Sequence, residues 1–201
     1  MKVKRPSWDY MYSLAKDLAK QIKKDNYKPD VLIGLTRGGL VPAMYLSDLL
    51  GVSEIITLRV EHYADAGKTY DRPITKFDAT YDLKGMKVLV VDDASDSGKS
   101  LDVAMKKIKE FNPGEIKVAT LHLRETSMFK PHYTAESMED YWIMYPWNII
   151  EEVLGLIRRK IDKGENVDID WITATLHESF GIDVSDIAEE VYEIGKERKL
   201  F

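Results

Sequence analysis

The sequence predicts an α/β fold, a parallel, doubly wound sheet followed by a small C-terminal extension of three helices. Three observations carry that prediction. Short continuous apolar runs alternate with stretches of helical spacing, two unusual loops fall at the carboxyl ends of strands, and from about Asn148 only helical spacing remains. With 201 residues, 44% of them hydrophobic, the chain has apolar mass for one ordinary core and an appendage, not for two full domains. We therefore expect a main domain over residues 1–147 and a helical extension over 148–201.

The elements follow in order. Pro6-Ser7 precedes Trp8, Met11, Ala15, Leu18 and Ile22, one helix face over roughly 7–24, with Ser7 as N-cap. Val31 to Leu35 is a short apolar run, as for a strand buried on both faces. It ends in Thr36-Arg37-Gly38-Gly39, and a helix over 40–50 is closed by Gly51. Glu54 to Val60 reads as a second strand. The stretch 61–76 is polar and without period, the texture of a working or disordered loop. Met86 to Val91 is the clearest strand and runs into Asp92-Asp93-Ala94-Ser95-Asp96-Ser97-Gly98-Lys99-Ser100. Leu101, Ala104, Met105, Ile108 and Phe111 then repeat at helical spacing until Asn112-Pro113-Gly114, and Ile116 to Leu123 is a further strand. Beyond Asn148, one helical face runs from Ile150 to Ile161, a second from Asp170 to Phe180 stopped by Gly181, and a third from Val184 to Lys196 capped by Asp183 or Ser185. We read these as a small antiparallel bundle.

Composition excludes several classes of function. There is no cysteine, so disulfides and thiolate metal sites are impossible, which fits a reducing compartment; cytoplasm is the expected location. The start MKVKRPSWDY lacks the apolar core of a signal peptide, and no apolar run approaches the ~20 residues that cross a bilayer, so no membrane partner is expected. Net charge is −5 with Lys and Arg dispersed, unlike the basic stripe that nucleic acid requires.

The chemistry concentrates in residues 92–100. An apolar strand delivers two adjacent carboxylates, then small residues that open a helix. Amides from about Asp96 to Ser100, the hydroxyls of Ser97 and Ser100, and the positive helix end make a phosphate site, with Gly98 allowing close approach. Asp92 and Asp93 beside it suit the vicinal hydroxyls of a sugar or a hydrated magnesium ion. Together these describe a ribose 5-phosphate. Gly98-Lys99-Ser100 also matches the end of a nucleotide-triphosphatase P-loop, but the first glycine of that motif would fall on Asp93. An acidic turn that merely caps a helix is the plain alternative.

Val88-Leu89-Val90-Val91-Asp92-Asp93-Ala94-Ser95-Asp96-Ser97-Gly98-Lys99-Ser100-Leu101 resembles the signature of type I phosphoribosyltransferases that binds phosphoribosyl pyrophosphate (PRPP). The resemblance implies that Asp92 and Asp93 hold the ribose hydroxyls and, through water, Mg2+. It implies that residues 96–100 (Asp96, Ser97, Gly98, Lys99, Ser100) bind the 5-phosphate and that Asp96 lies near N7 of the base and helps move its proton. Gly34 to Pro42 looks like the pyrophosphate loop of the xanthine-guanine branch, with Thr36, Arg37 and Gly38 on pyrophosphate and a strained peptide before Arg37; taken alone it is equally an ordinary strand-to-helix turn. His62-Tyr63 matches the mobile catalytic hood, with Tyr63 catalytic, and a mere surface loop is the alternative. Asp140 to Trp147 resembles the base-binding segment, in which Trp142 stacks on the purine and the Ile143 backbone reads its edge. An aromatic core cluster is the alternative there.

Two departures bear on the base. Oxopurine enzymes usually place a lysine at the end of the fourth strand, where this chain has Arg124, a larger and differently aimed donor. The long segment after Asn148 looks like the helical extension of archaeal relatives, including adenine-specific ones, so the reading leans towards adenine over hypoxanthine, guanine or xanthine. His62 and His122 have no partner pattern of a nucleophile or metal site and are read as structural. The resemblance implies a homodimer. A non-catalytic regulator that binds PRPP and a pyrimidine-using relative are the rival readings. The three C-terminal helices fit a dimer contact, a lid over the base or added stability equally well.

Overall fold

The computed structural model describes residues 2–61, 64–65, 68–69, 74–75, 81–139, 141–161 and 166–201. The chain begins with β1 (Lys2–Lys4), α1 (Trp8–Lys24), β2 (Val31–Thr36), α2 (Leu40–Leu50) and β3 (Ile55–Glu61). Three two-residue strands follow, β4 (Ala64–Asp65), β5 (Lys68–Thr69) and β6 (Ile74–Thr75). Next come β7 (Lys87–Ser95), α3 (Lys99–Lys109), β8 (Glu115–Arg124), β9 (Tyr133–Met138) and β10 (Tyr141–Ile143). Helices α4 (Ile149–Arg158), α5 (Ile169–Phe180) and α6 (Ala188–Glu197) complete the chain. By its contacts it divides into two compact units, residues 9–139 and residues 1–8 with 140–201. The expected boundary after residue 147 was drawn on sequence texture; by contacts, 140–147 group with the C-terminal helices.

The unit of residues 9–139 is the expected α/β sheet. Its strand order is β6-β3-β2-β7-β8-β9, with β3, β2, β7, β8 and β9 parallel and β6 antiparallel at one edge. Val31, Ile33 and Leu35 of β2 and Val88 and Val90 of β7 share a core with Leu101, Ala104 and Ile108 of α3. β2 is buried from Val31 to Leu35, which is why it reads as an unbroken apolar run and not as an alternation. On α1, Met11, Leu14, Ala15, Leu18, Ala19 and Ile22 form the buried stripe, which adds Leu14 and Ala19 to the face read from sequence and leaves Trp8 exposed. Gly51 ends α2 at φ 69°, its amide reaching the Asp48 carbonyl at 3.3 Å while Val52 N–H reaches Ser47 at 3.0 Å.

In the other unit β1 and β10 pair in parallel, Lys2 opposite Tyr141 and Lys4 opposite Ile143, and the Met144 amide extends the ladder to the Lys4 carbonyl at 2.8 Å. Met144, Val153, Leu154, Ile157, Ile172, Leu176, Val184 and Val191 make one core shared by the three expected helices. Asp168 caps α5, accepting from the Trp171 amide at 2.8 Å, and Gly181 closes it at φ 68°. The last helix starts at Ala188 and not at the expected Val184. The Asp183 carboxylate draws the Ser185 amide to 2.9 Å, and Ile187 N–H meets the Val184 carbonyl at 3.0 Å, so 183–187 is spent in a turn. Asp186 in that turn forms a two-point ion pair with Arg5, both contacts at 2.7 Å. Among the described residues no helix is long and apolar enough to cross a membrane.

Candidate active site

Two glycines bring the carboxyl ends of β2 and β7 together. The strands run in register, Gly34 beside Val91, so the loop leaving β2 passes the acidic pair that follows β7. A side chain on Gly38 would overlap the Asp93 carboxylate, and one on Gly39 would overlap the Val91 carbonyl. Only glycine permits that approach. Gly39 N–H bonds to the Leu35 carbonyl at 2.7 Å and the Thr36–Arg37 peptide is cis. Thr36 Oγ1 is buried and has no hydrogen-bond partner among the described residues. Thr36, Arg37 and Gly38 are thereby gathered beside Asp92 and Asp93.

Adjacent carboxylates in such a place resist losing both protons. Burial, and then the charge of Asp93, push the Asp92 carboxyl well above the usual carboxylate range, against the relief given by the Asp93 amide, which donates to Asp92 at 3.0 Å. A divalent cation would relieve the same repulsion. Among the described residues no cluster of three or more His, Asp or Glu side chains could hold a metal. Two hard oxygen donors without a full cage fit Mg2+, which is commonly held by one or two carboxylates, water and substrate phosphate.

After Asp93 the chain turns through Ser95 to Gly98 into α3. Gly98 sits at φ 81°, and a Cβ there would lie 2.5 Å from the Phe129 nitrogen and 2.7 Å from Ser127 Oγ. Position 98 demands glycine on both counts. Asp96, Ser97 and Lys99 are exposed, Ser100 is half-buried, and the first helical bond is Asp102 N–H to Gly98 at 3.0 Å. Amides of the first turn of α3 therefore lack intrahelical partners and open on the same side as the turn.

Arg124, at the end of β8, joins this cluster. Its Nε bonds to the Asp96 carboxylate and its terminal nitrogen donates to the Glu139 carbonyl at 2.9 Å. Trp142 and Ile143 belong to the other unit: the Trp142 N–H donates to Glu152 at 2.7 Å, its ring packs against the helical core, and Ile143 is buried opposite Lys4. Tyr63 and His62 lie outside the described residues. His122 is buried, with Nε2 at 3.2 Å from Glu136, which also accepts from the Tyr10 hydroxyl at 2.8 Å. Sequence reasoning passed over Ser127 and Phe129, which back the turn from Ser95 to Gly98. They are linked to it by folding alone, and no spacing announces them.

The sequence matches the phosphoribosyl transferase domain over residues 7–156. It is 30% identical over 145 residues to the xanthine-guanine phosphoribosyltransferase of Idiomarina loihiensis, covering 71% of this chain and 85% of that one. Identity to the Gluconobacter oxydans xanthine-guanine phosphoribosyltransferase is 28% over 142 residues, 71% and 82% of the two chains. The purine phosphoribosyltransferase structure from Pyrococcus horikoshii superposes with a TM-score of 0.65 at 34% identity, covering 73% of this chain and 94% of that one. The glycine loop against an acidic pair, the glycine turn opening α3 and a domain match over most of the length agree: this chain belongs to the phosphoribosyl transferase family.

Proposed function

We propose that the protein is a Mg2+-dependent purine phosphoribosyltransferase of base salvage whose substrate is a 6-oxopurine. The observation that carries the reading is the convergence of Gly38 on Asp93 with the Asp96–Arg124 pair at the mouth of the phosphate turn. In this reading the 5-phosphate of PRPP takes the amides and hydroxyls of residues 96–100, including Ser97, Lys99 and Ser100. The ribose hydroxyls donate to Asp92 and Asp93, and pyrophosphate lies along Thr36, Arg37 and Gly38. Asp92 and Asp93 would hold Mg2+, which would supply charge neutralisation to the pyrophosphate group. Purine N9 bonds to ribose C1 as the bond from C1 to the pyrophosphate oxygen breaks, and Arg37 takes part of the leaving charge. Asp96 accepts the proton the base gives up. Trp142 and the Ile143 backbone recognise the base, and Tyr63 acts from the hood.

The adenine preference read from sequence has no support among the relatives, two of which carry xanthine and guanine in their names. Arg124 is a donor-only side chain, matched to a carbonyl at purine position 6 and not to an amino group. A homodimer and a cytoplasmic location belong to the same proposal; the first draws on the apolar exposed residues of α2, Leu40 and Met44, and the second on the absence of cysteine.

The deciding assay mixes the protein with PRPP and Mg2+ and offers adenine, hypoxanthine, guanine and xanthine separately, following nucleotide and pyrophosphate. Turnover of an oxopurine is expected, and Asp96→Asn should slow it by about a hundredfold. PRPP binding with no base consumed would replace the transferase by a PRPP-binding regulator.

A further inference from the structure

The phosphate turn rests on a second loop, residues 125–132 between β8 and β9. Ser95 and Ser127 are both buried, at 1% and 4% exposure, and their hydroxyl oxygens lie 2.8 Å apart. Ser95 Oγ also lies 2.9 Å from the Phe129 carbonyl, while the Phe129 amide reaches Ser127 Oγ at 3.3 Å. Ser127 Oγ accepts from the Phe129 amide and lies 3.1 Å from the Phe129 carbonyl, so the two hydroxyl protons serve the Ser95–Ser127 contact and that carbonyl in either order, and every buried group in the ring is satisfied. One further bond, Met128 N–H to the Ser97 carbonyl at 3.1 Å, ties the turn itself to the loop. Gly98 lies against Ser127 and Phe129 with no room for a side chain.

We infer that Ser127 is a positioning residue for the 5-phosphate: through Ser95 it holds the 95–98 turn in the shape that aims the amides of residues 96–100 at the ligand. The inference rests on the transferase reading above. Ser127 touches no substrate; its effect is preorganisation, felt by the phosphate-bearing substrate and not by the base. Removing its hydroxyl leaves the Phe129 amide without an acceptor and frees one side of Ser95, so the turn loses its fixed shape while β7 and α3 stay in place.

The experiment compares steady-state kinetics of the wild type, Ser127→Ala, Ser127→Cys and Ser127→Thr. Cysteine keeps the volume but offers only a weak donor, so it guards against a packing defect in the alanine variant. Alanine and cysteine should each raise KM for PRPP by about tenfold, the scale of one buried hydrogen bond, with kcat and KM for the base within about twofold. Threonine, which retains the hydroxyl, should restore KM for PRPP. Lowered thermal stability with an unchanged KM for PRPP in both variants would overturn the inference, as would equal losses in KM for PRPP and for the base. A wild type that neither binds nor turns over PRPP would sink the transferase reading first, before any variant is measured.

Discussion

Asp25, just past the end of α1, accepts from the Lys117 ammonium at 2.5 Å and from the Tyr133 hydroxyl at 2.6 Å, tying the first helix to β8 and β9. The Lys117 bond, then the Tyr133 bond, hold its carboxyl below the usual carboxylate range, while Lys117 is raised by the same contact. A lowered native value for Asp25 means that the unfolded chain takes up the proton first. The contribution is therefore whole above about pH 4, the ordinary aspartate value, and fades as pH falls through the native one. Lys117 sets the opposite limit: its share is whole below about pH 10.4 and is lost as pH rises through its raised value. Asp25→Asn should flatten the acid limb of a denaturation midpoint plotted against pH and leave the neutral plateau nearly parallel to wild type. At the candidate site the counterpart is Gly38→Ala, whose methyl would overlap the Asp93 carboxylate. The variant should stay folded by circular dichroism yet lose most turnover. Glycine at 38 was legible in the sequence as part of a strand-to-helix turn, and as a ligand-loop residue only through resemblance. Its reason, the side chain of a residue 55 positions later, was not.

Elements that bury a continuous face announced themselves. β2, β8 and α1 were readable within a residue or two because each carries a buried apolar run or stripe, whereas β7 was read to Val91 and continues to Ser95 through polar residues. β9 was not, since Tyr133–Met138 alternates half-buried polar residues at the sheet edge and offers no apolar run. Nor was β1, three residues whose partner lies in β10. The turn into α3 was legible as the break between an apolar strand and a helix, while its support by residues 127–129 was not. At this scale Gly98→Ala combines a left-handed φ with a clash against Phe129 and should lower stability by about 1–3 kcal/mol, read from the urea midpoint at unchanged m-value. The Trp142 and Ile143 segment was found by resemblance to a family pattern. Bottom-up reading of the aromatic cluster alone favoured a core, and the bond to Glu152 together with burial against α4–α6 gives those residues a packing role.

For the whole molecule, α2 is the element whose composition and exposure disagree. Asp48 is its one charged residue, yet Met44 is 62% and Leu40 37% exposed. A helix that is apolar all round is ordinarily covered, and a second copy of the chain, meeting the same patch about a two-fold axis, is the cover that the proposed homodimer would provide. Met44→Glu should shift the protein to the monomer elution volume in size-exclusion chromatography without changing its helical content; an unchanged dimer would move the interface elsewhere. The pairing of β1 with β10 also has a consequence for biosynthesis. Residues 2–4 leave the ribosome well before the strand they join, which exists only after Ile143 has been translated, and the core around α4–α6 follows later still. The sheet of residues 9–139 can therefore assemble co-translationally while residues 2–4 wait as an unpaired strand, and closure of that small two-stranded sheet waits on residues 141–143.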